Sequence, residues 1–286
     1  MPRLVRALAA CVVLVLCAGC AGWGSGSAAP KTPPTHLQRI LDSGKLRVGM
    51  SGEQPPLNMT TRDGELVGLE VALARVLAAT IGVELQLVRI PFPQLLDSLE
   101  AGKIDLIMSG MTITAQRNLR VVFVGPYFLS GQSLLSKSTE LLAASLAELN
   151  RPDVKLAALA SSTSEAWAKR AVPLATLTTT QTLDEGIRLV MDGKVNALVA
   201  DQEICYFAML RHADAGLAVR ADTFTVEPIG IALPPSDPQF TNLIENYLGA
   251  LEMQGTLERA RQFWFEDKSW VEGMELGPAS PSQPSR

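Results

Sequence analysis

Short apolar runs alternate with amphipathic stretches along most of the chain. Residues 46–50 and 104–108 are largely apolar runs of strand length. Leu69, Ala72, Leu73, Val76 and Leu77 recur at helical spacing, as do Phe92, Leu95, Leu96 and Leu99 in a segment that stops at Gly102. The longest stripe is Phe240, Leu243, Ile244, Tyr247, Leu248 and Leu251, with Asp237 placed as N-cap and Pro238 as first helical residue. Strands alternating with helices predict an α/β protein built on sheets.

One pattern occurs twice. Leu99-Glu100-Ala101-Gly102-Lys103-Ile104-Asp105-Leu106 has a counterpart in Val190-Met191-Asp192-Gly193-Lys194-Val195-Asn196-Ala197. Each reads as helix, Gly-Lys stop and strand, and each follows an earlier strand and helix, beginning at Leu46 and at Val154. The pattern predicts two similar α/β lobes; one common junction used twice is the simpler alternative.

The first residues change the picture of where the protein works. Arg3 and Arg6 precede the apolar run 7–16, which is too short to span a bilayer, and Leu16-Cys17-Ala18-Gly19-Cys20 follows. Residues 1–19 read as a signal peptide and Cys20 as a lipidated first residue, although Cys17 stands where leucine is usual. Cleavage by ordinary signal peptidase is the alternative. Residues 20–36 read as a lipid-anchored flexible linker and 275–286 as a flexible tail. Outside the leader and Cys20, Cys205 is the one cysteine, so no intramolecular disulfide is expected.

Composition narrows the chemistry. The chain has 286 residues, 47% apolar and 19% charged, with a net charge of -4 and no basic cluster, which argues against a nucleic-acid partner. His36 and His212 fit no metal or triad pattern, and no phosphate loop is present. No catalytic residue, metal or cofactor is expected.

Ligands of open α/β sheets bind beyond the carboxyl ends of the strands. After residues 104–108 comes Ser109-Gly110-Met111-Thr112-Ile113-Thr114 and then Arg117. Thr114 is placed to cap a helix whose first turn holds Arg117. A cation there opposes the helix dipole, so Arg117 either shares an anion with free backbone N–H groups or extends into water. Ser162-Thr163-Ser164-Glu165 fits a capping box and leaves Thr163 available to a ligand. Asp201 ends a strand and either takes an ammonium group or caps the next helix. An anion site on one lobe and an ammonium site on the other match a zwitterion bridging a cleft.

These motifs, in order, resemble the bacterial extracellular amino-acid-binding proteins of the type-2 periplasmic-binding-protein fold. The resemblance rests on Leu46-Arg47-Val48-Gly49-Met50, Pro55-Pro56-Leu57, Asp63-Gly64-Glu65-Leu66-Val67-Gly68-Leu69-Glu70-Val71, the segments around Thr112, Tyr127, Thr163 and Asp201, Gly230-Ile231-Ala232-Leu233, and Gly255-Thr256-Leu257. It implies a discontinuous first lobe (37–129 and 226–274), a second lobe (130–225), and a hinge of two crossing strands near Ser130 and Thr225. It also implies that Arg117, Thr112 and the Thr163 backbone hold an α-carboxylate. Asp201 would hold the α-amino group, with Ser109 or Gly110 offering a carbonyl. The implied protein is a monomer on the periplasmic or extracellular side, delivering an amino acid or similar carboxylate to an ABC-type permease.

The side-chain pocket departs from the family. Ser51 stands where an acid is frequent, Gln54 where an aromatic is usual, and Leu57 where Phe is usual; Phe92 serves as an aromatic wall or as core. The expected preference is for neutral polar or acidic amino acids over cationic ones, with Glu53 the residue able to reverse it. Two other functions fit the same fold: an enzyme resembling the cyclohexadienyl dehydratases, with Glu203 or Glu53 as acid or base, and a lipoprotein sensor or partner-binding module. Mass spectrometry of the membrane-extracted protein is expected to find an acylated N-terminus at Cys20; a water-soluble product beginning after Cys20 overturns that expectation.

Overall fold

The structure is a computed structural model that describes residues 33–267 and Trp270. The leader, Cys20, most of the linker and everything after Trp270 lie outside the described residues. Two five-stranded sheets form the framework. The first runs in the order β5 (Glu84–Arg89), β1 (Lys45–Met50), β6 (Leu106–Ile107), β13 (Glu227–Leu233), β7 (Val122–Ser130). The second runs β10 (Thr176–Thr180), β9 (Lys155–Leu159), β11 (Ala197–Asp201), β8 (Gln132–Ser136), β12 (Ala218–Val219). A three-stranded ribbon of β2 (Glu53–Gln54), β3 (Asn58–Thr60) and β4 (Leu66–Val67) lies between β1 and the helix Leu69–Ile81 in chain order.

The two sheets share one plan. In each, three parallel strands are followed by an antiparallel fourth, β13 against β6 and β8 against β11. The repeated sequence pattern falls at the same place in both. Gly102 and Gly193 each take φ of 67°, a left-handed conformation that glycine adopts without a Cβ penalty. The Arg47 N–H donates to Asp105 Oδ2 at 2.7 Å, and the Lys155 N–H donates to Asn196 Oδ1 at 2.6 Å. In return the Asp105 and Asn196 N–H groups donate to the Arg47 and Lys155 carbonyls at 2.8 and 2.7 Å. A junction that recurs down to its side-chain hydrogen bonds supports two related lobes.

Local expectations hold with shifts of detail. Asp237 accepts from the Phe240 N–H and also from the Leu37 N–H, so it caps Pro238–Met253 and ties down the helix His36–Ser43. Thr114 accepts from the Arg117 N–H. The segment from Phe92 opens as a 3-10 turn before the helix Leu95–Glu100, and regular pairing of the strand at 104–108 is confined to Leu106–Ile107. In Leu69–Ile81 the buried face is Leu69, Glu70, Val71, Leu73, Ala74, Leu77 and Ala78, while Val76 is exposed. The predicted stripe is therefore turned on the helix, because it left out Glu70. The reciprocal half of the predicted capping box is displaced: Ser162 accepts from the Glu165 N–H, but Glu165 accepts from the Ser161 N–H.

The chain passes between the sheets along two adjacent lines. β7 runs into β8 through Gly131, and the return enters β13 after Thr225. Ser130 pairs with Glu227, the Gln132 N–H donates to Thr225 Oγ1 at 3.0 Å, and the Phe224 N–H donates to the Gln132 carbonyl at 2.8 Å. A Cβ on Gly131 would collide with the Thr225 carbonyl and with Thr223 Cβ. Gly131→Ala is expected to lower folding stability by about 1–3 kcal/mol, the usual cost of overpacking, read by denaturant titration. Unchanged stability would show that the crossing has slack.

Candidate functional site

The carboxyl ends of β1, β6, β9 and β11 converge on one cleft between the sheets. Its inner cavity, about 20 Å³, is lined by Gln54, Phe92, Gly110, Thr112, Thr163, Asp201 and neighbouring apolar side chains. That volume holds about one water. Outside Thr112 the cleft widens into a groove of about 610 Å³ that also meets Arg117, Ser161 and Thr163.

Arg117 is buried by its position in the first turn after Thr114. Its Nη1 donates to the Thr112 carbonyl at 2.9 Å and its Nη2 to the Ser161 carbonyl at 3.1 Å, and the guanidinium lies 5.6 Å from the centre of the Phe92 ring. Of the two readings of Arg117, extension into water is therefore wrong. Burial lowers its pKa to about 10, with Asp201 and Glu227 opposing, and it stays protonated at neutral pH.

Asp201 occupies the N-cap position of Gln202–Arg211, yet its side chain makes no cap hydrogen bond. Instead Oδ1 accepts from Gln132 Nε2 at 2.7 Å. Burial pushes its pKa well above the usual carboxylate value; repulsion from Glu203 and Glu227 adds to this, and Arg117 and Gln132 oppose. Gln132 also donates to Thr163 Oγ1 at 3.2 Å, and that hydroxyl lies 3.3 Å from Thr112 Oγ1 on the facing lobe. Phe92 belongs both to the apolar core and to the cavity wall.

Ser51 and Ser109 are buried beside the cavity but do not line it. The Ser51 N–H donates to Ser109 Oγ at 2.9 Å, and Ser109 Oγ donates to Gln54 Oε1 at 3.1 Å. Glu53 faces Arg89 at 4.0 Å and the Leu183 N–H, away from the cavity; burial raises its pKa, and Asp184 adds to the effect. Glu203 Oε2 accepts from Ser130 Oγ at 2.6 Å at the lobe crossing, and burial pushes its pKa up to about 7. Neither candidate acid of the enzyme reading reaches the inner cavity.

Glu70 has a part that hydropathy reading overlooked. Fully buried, it accepts from the Gly110 N–H at 2.6 Å, from the Asn58 side-chain amide and from the Tyr127 hydroxyl. Asn58 Oδ1 in turn accepts from the Gly52 N–H at 2.6 Å. Burial raises the Glu70 pKa and the three donors pull it down. An acid flanked by Leu69 and Val71 on an otherwise apolar helix face was the available signal. Among the described residues no group of three or more His, Cys, Asp or Glu side chains is placed to hold a metal, and no helix is long and apolar enough to cross a membrane.

Residues 46–267 match the model of the bacterial extracellular solute-binding proteins, family 3. The L-cystine-binding protein TcyJ of Escherichia coli is 26% identical over 233 residues, covering 80% of this chain and 85% of its own. A cyclohexadienyl dehydratase of Pseudomonas aeruginosa is 25% identical over 265 residues, covering 92% and 94%. A binding component of an ABC transporter from Wolinella succinogenes, solved with lysine, superposes with a TM-score of 0.75 at 35% identity, covering 80% of this chain and 99% of its own. Two sheets of one plan, a cleft at their strand ends and a family match over most of the length agree: the chain belongs to the bacterial extracellular solute-binding proteins, family 3.

Proposed function

We propose that this protein captures an amino acid, or a closely related small carboxylate, by closing its lobes on it and delivers it to an ABC-type permease while tethered to the membrane through Cys20. The observation that carries the reading is the placement of Arg117, in the helix Ala115–Asn118 after β6, and Asp201, at the end of β11, both buried and of opposite charge, at one cleft between the sheets. A zwitterion satisfies both at once. Arg117 and Thr112 take the carboxylate, with the Thr163 N–H at the start of Thr163–Ala171 adding a donor. Asp201 takes the ammonium, with the Gly110 carbonyl as a second acceptor; both residues line the inner cavity. Relatives named as binding amino acids support the reading.

A dehydratase needs an acid or base beside the bound carboxylate. With Glu53 turned to Arg89 and the Leu183 N–H, and Glu203 turned to Ser130, the cavity offers only Asp201, which the ammonium occupies. The same geometry sets selectivity. A cationic side chain would meet Gln54, Phe92 and apolar groups with no free carboxylate, and an unpaired buried charge is costly.

Calorimetric titration with glutamine, glutamate, serine, arginine and lysine is expected to rank a neutral or acidic amino acid first. Arg117→Ala should weaken that binding more than tenfold with the circular dichroism unchanged, as loss of a buried charged hydrogen-bond partner typically costs about 2–5 kcal/mol. Unchanged affinity would remove Arg117 from the site, and tightest binding of arginine or lysine would overturn the selectivity argument. The raised pKa of Asp201 adds a pH dependence. Its protonated form cannot pair with an ammonium, so affinity should increase as pH rises above the ordinary carboxylate range, and Asp201→Asn should flatten that slope. The charged neighbours are Arg117, Glu203 and Glu227, of which Glu203 is itself pushed up to about 7.

A further inference from the structure

The helix Gln202–Arg211 has two working faces. Asp201 and Ile204 look into the ligand cleft, whereas Glu203, Tyr206, Phe207 and Leu210, at helical spacing, line a separate groove of about 790 Å³. This groove crosses the hinge: its floor includes Ser130, Gly131 and Thr223, and its far wall carries Phe128, Trp264 and Phe265. Phe128 and Phe265 stack with ring centres 4.2 Å apart, which holds that wall in shape. The volume falls within the range of small-molecule sites.

We propose that this groove is a second binding site, for an organic ammonium ion with an apolar or aromatic body. Glu203 fixes the charge of the occupant. Its Oε2 is engaged by the Ser130 hydroxyl, and its Oε1 is buried without a hydrogen-bond partner among the described residues. A buried carboxylate oxygen without a donor is unfavourable, and an ammonium supplies both donor and charge. Tyr206, Phe207, Trp264 and Phe265 also line the groove and offer aromatic surroundings for a cation. Among the described residues Arg220 is the cation in the lining; its Nη1 donates to the Leu142 and Ala144 carbonyls at 2.7 and 2.9 Å and its guanidinium lies 4.5 Å from the centre of the Phe224 ring, while its Nε is buried without a hydrogen-bond partner among the described residues. An anion would meet Glu203 and Asp267, and a purely apolar guest would leave Oε1 unpaired.

The test uses phenethylammonium, which has no carboxylate for Arg117 to hold. Calorimetry on the full chain should show saturable one-to-one binding. Glu203→Gln should weaken it at least tenfold and Tyr206→Ala severalfold. Absence of saturable binding at millimolar concentration overturns the proposal. So does unchanged affinity in Glu203→Gln. If Glu203→Gln fails to fold by circular dichroism, the exposed Tyr206 decides: unchanged affinity in Tyr206→Ala is then the overturning result.

Discussion

A carboxylate sealed from water, Glu70, sets the position of the loops that make the cleft. Burying an acid is expensive, and here three donors drawn from three places compensate it: the Gly110 backbone, the Asn58 amide and the Tyr127 hydroxyl. Through Gly110 the network fixes the turn between Ser109 and Thr112, and through Asn58 it fixes the bend at Gly52 that leads to Gln54. Apolar packing alone would leave both loops free to slide, because it has no direction. A directional, fully buried acceptor does not.

The second constraint is the crossing. β7 and β13 pair along the first sheet, and their extensions through Gly131 and Thr225 reach the second, where β8 supplies the antiparallel strand. The lobes therefore turn about a narrow waist whose two lines are hydrogen-bonded to each other at Gln132, Phe224 and Thr225. Gln132 links this waist to the ligand site directly, as its side chain donates to both Asp201 and Thr163. The strand crossing and the placement of Asp201 are parts of one hydrogen-bonded structure.

Much of this was legible in the sequence because its physics is local. The Asp237 cap, the Thr114 cap, the glycine stops at 102 and 193 and the strands they lead into each follow from a few adjacent residues. The convergence of Thr112, Thr163 and Asp201 followed from the strand-end rule combined with the repeat. What escaped was set by distant partners. Hydropathy spacing turned the Leu69–Ile81 stripe away from Glu70 because a buried acid looks polar, and its donors lie 12, 40 and 57 residues away. Ser51 and Ser109 sit at the right strand ends, yet they hydrogen-bond to each other behind the cavity wall. Which face of a strand-end loop meets the solvent is a tertiary matter.

Among the described residues two hydrogen bonds join the lobes across the cleft itself: Arg117 to the Ser161 carbonyl and Thr112 to Thr163. Both are made by groups of the protein alone. A permease that recognised only the shut outline would accept an empty carrier as readily as a loaded one, and futile docking would compete with transport. The groups engaged in shutting are also those that cargo would claim, Arg117 above all. On the proposed binding mode Arg117 would exchange its bond to the Ser161 carbonyl for bonds to cargo, and the strength of that internal contact would tune the affinity.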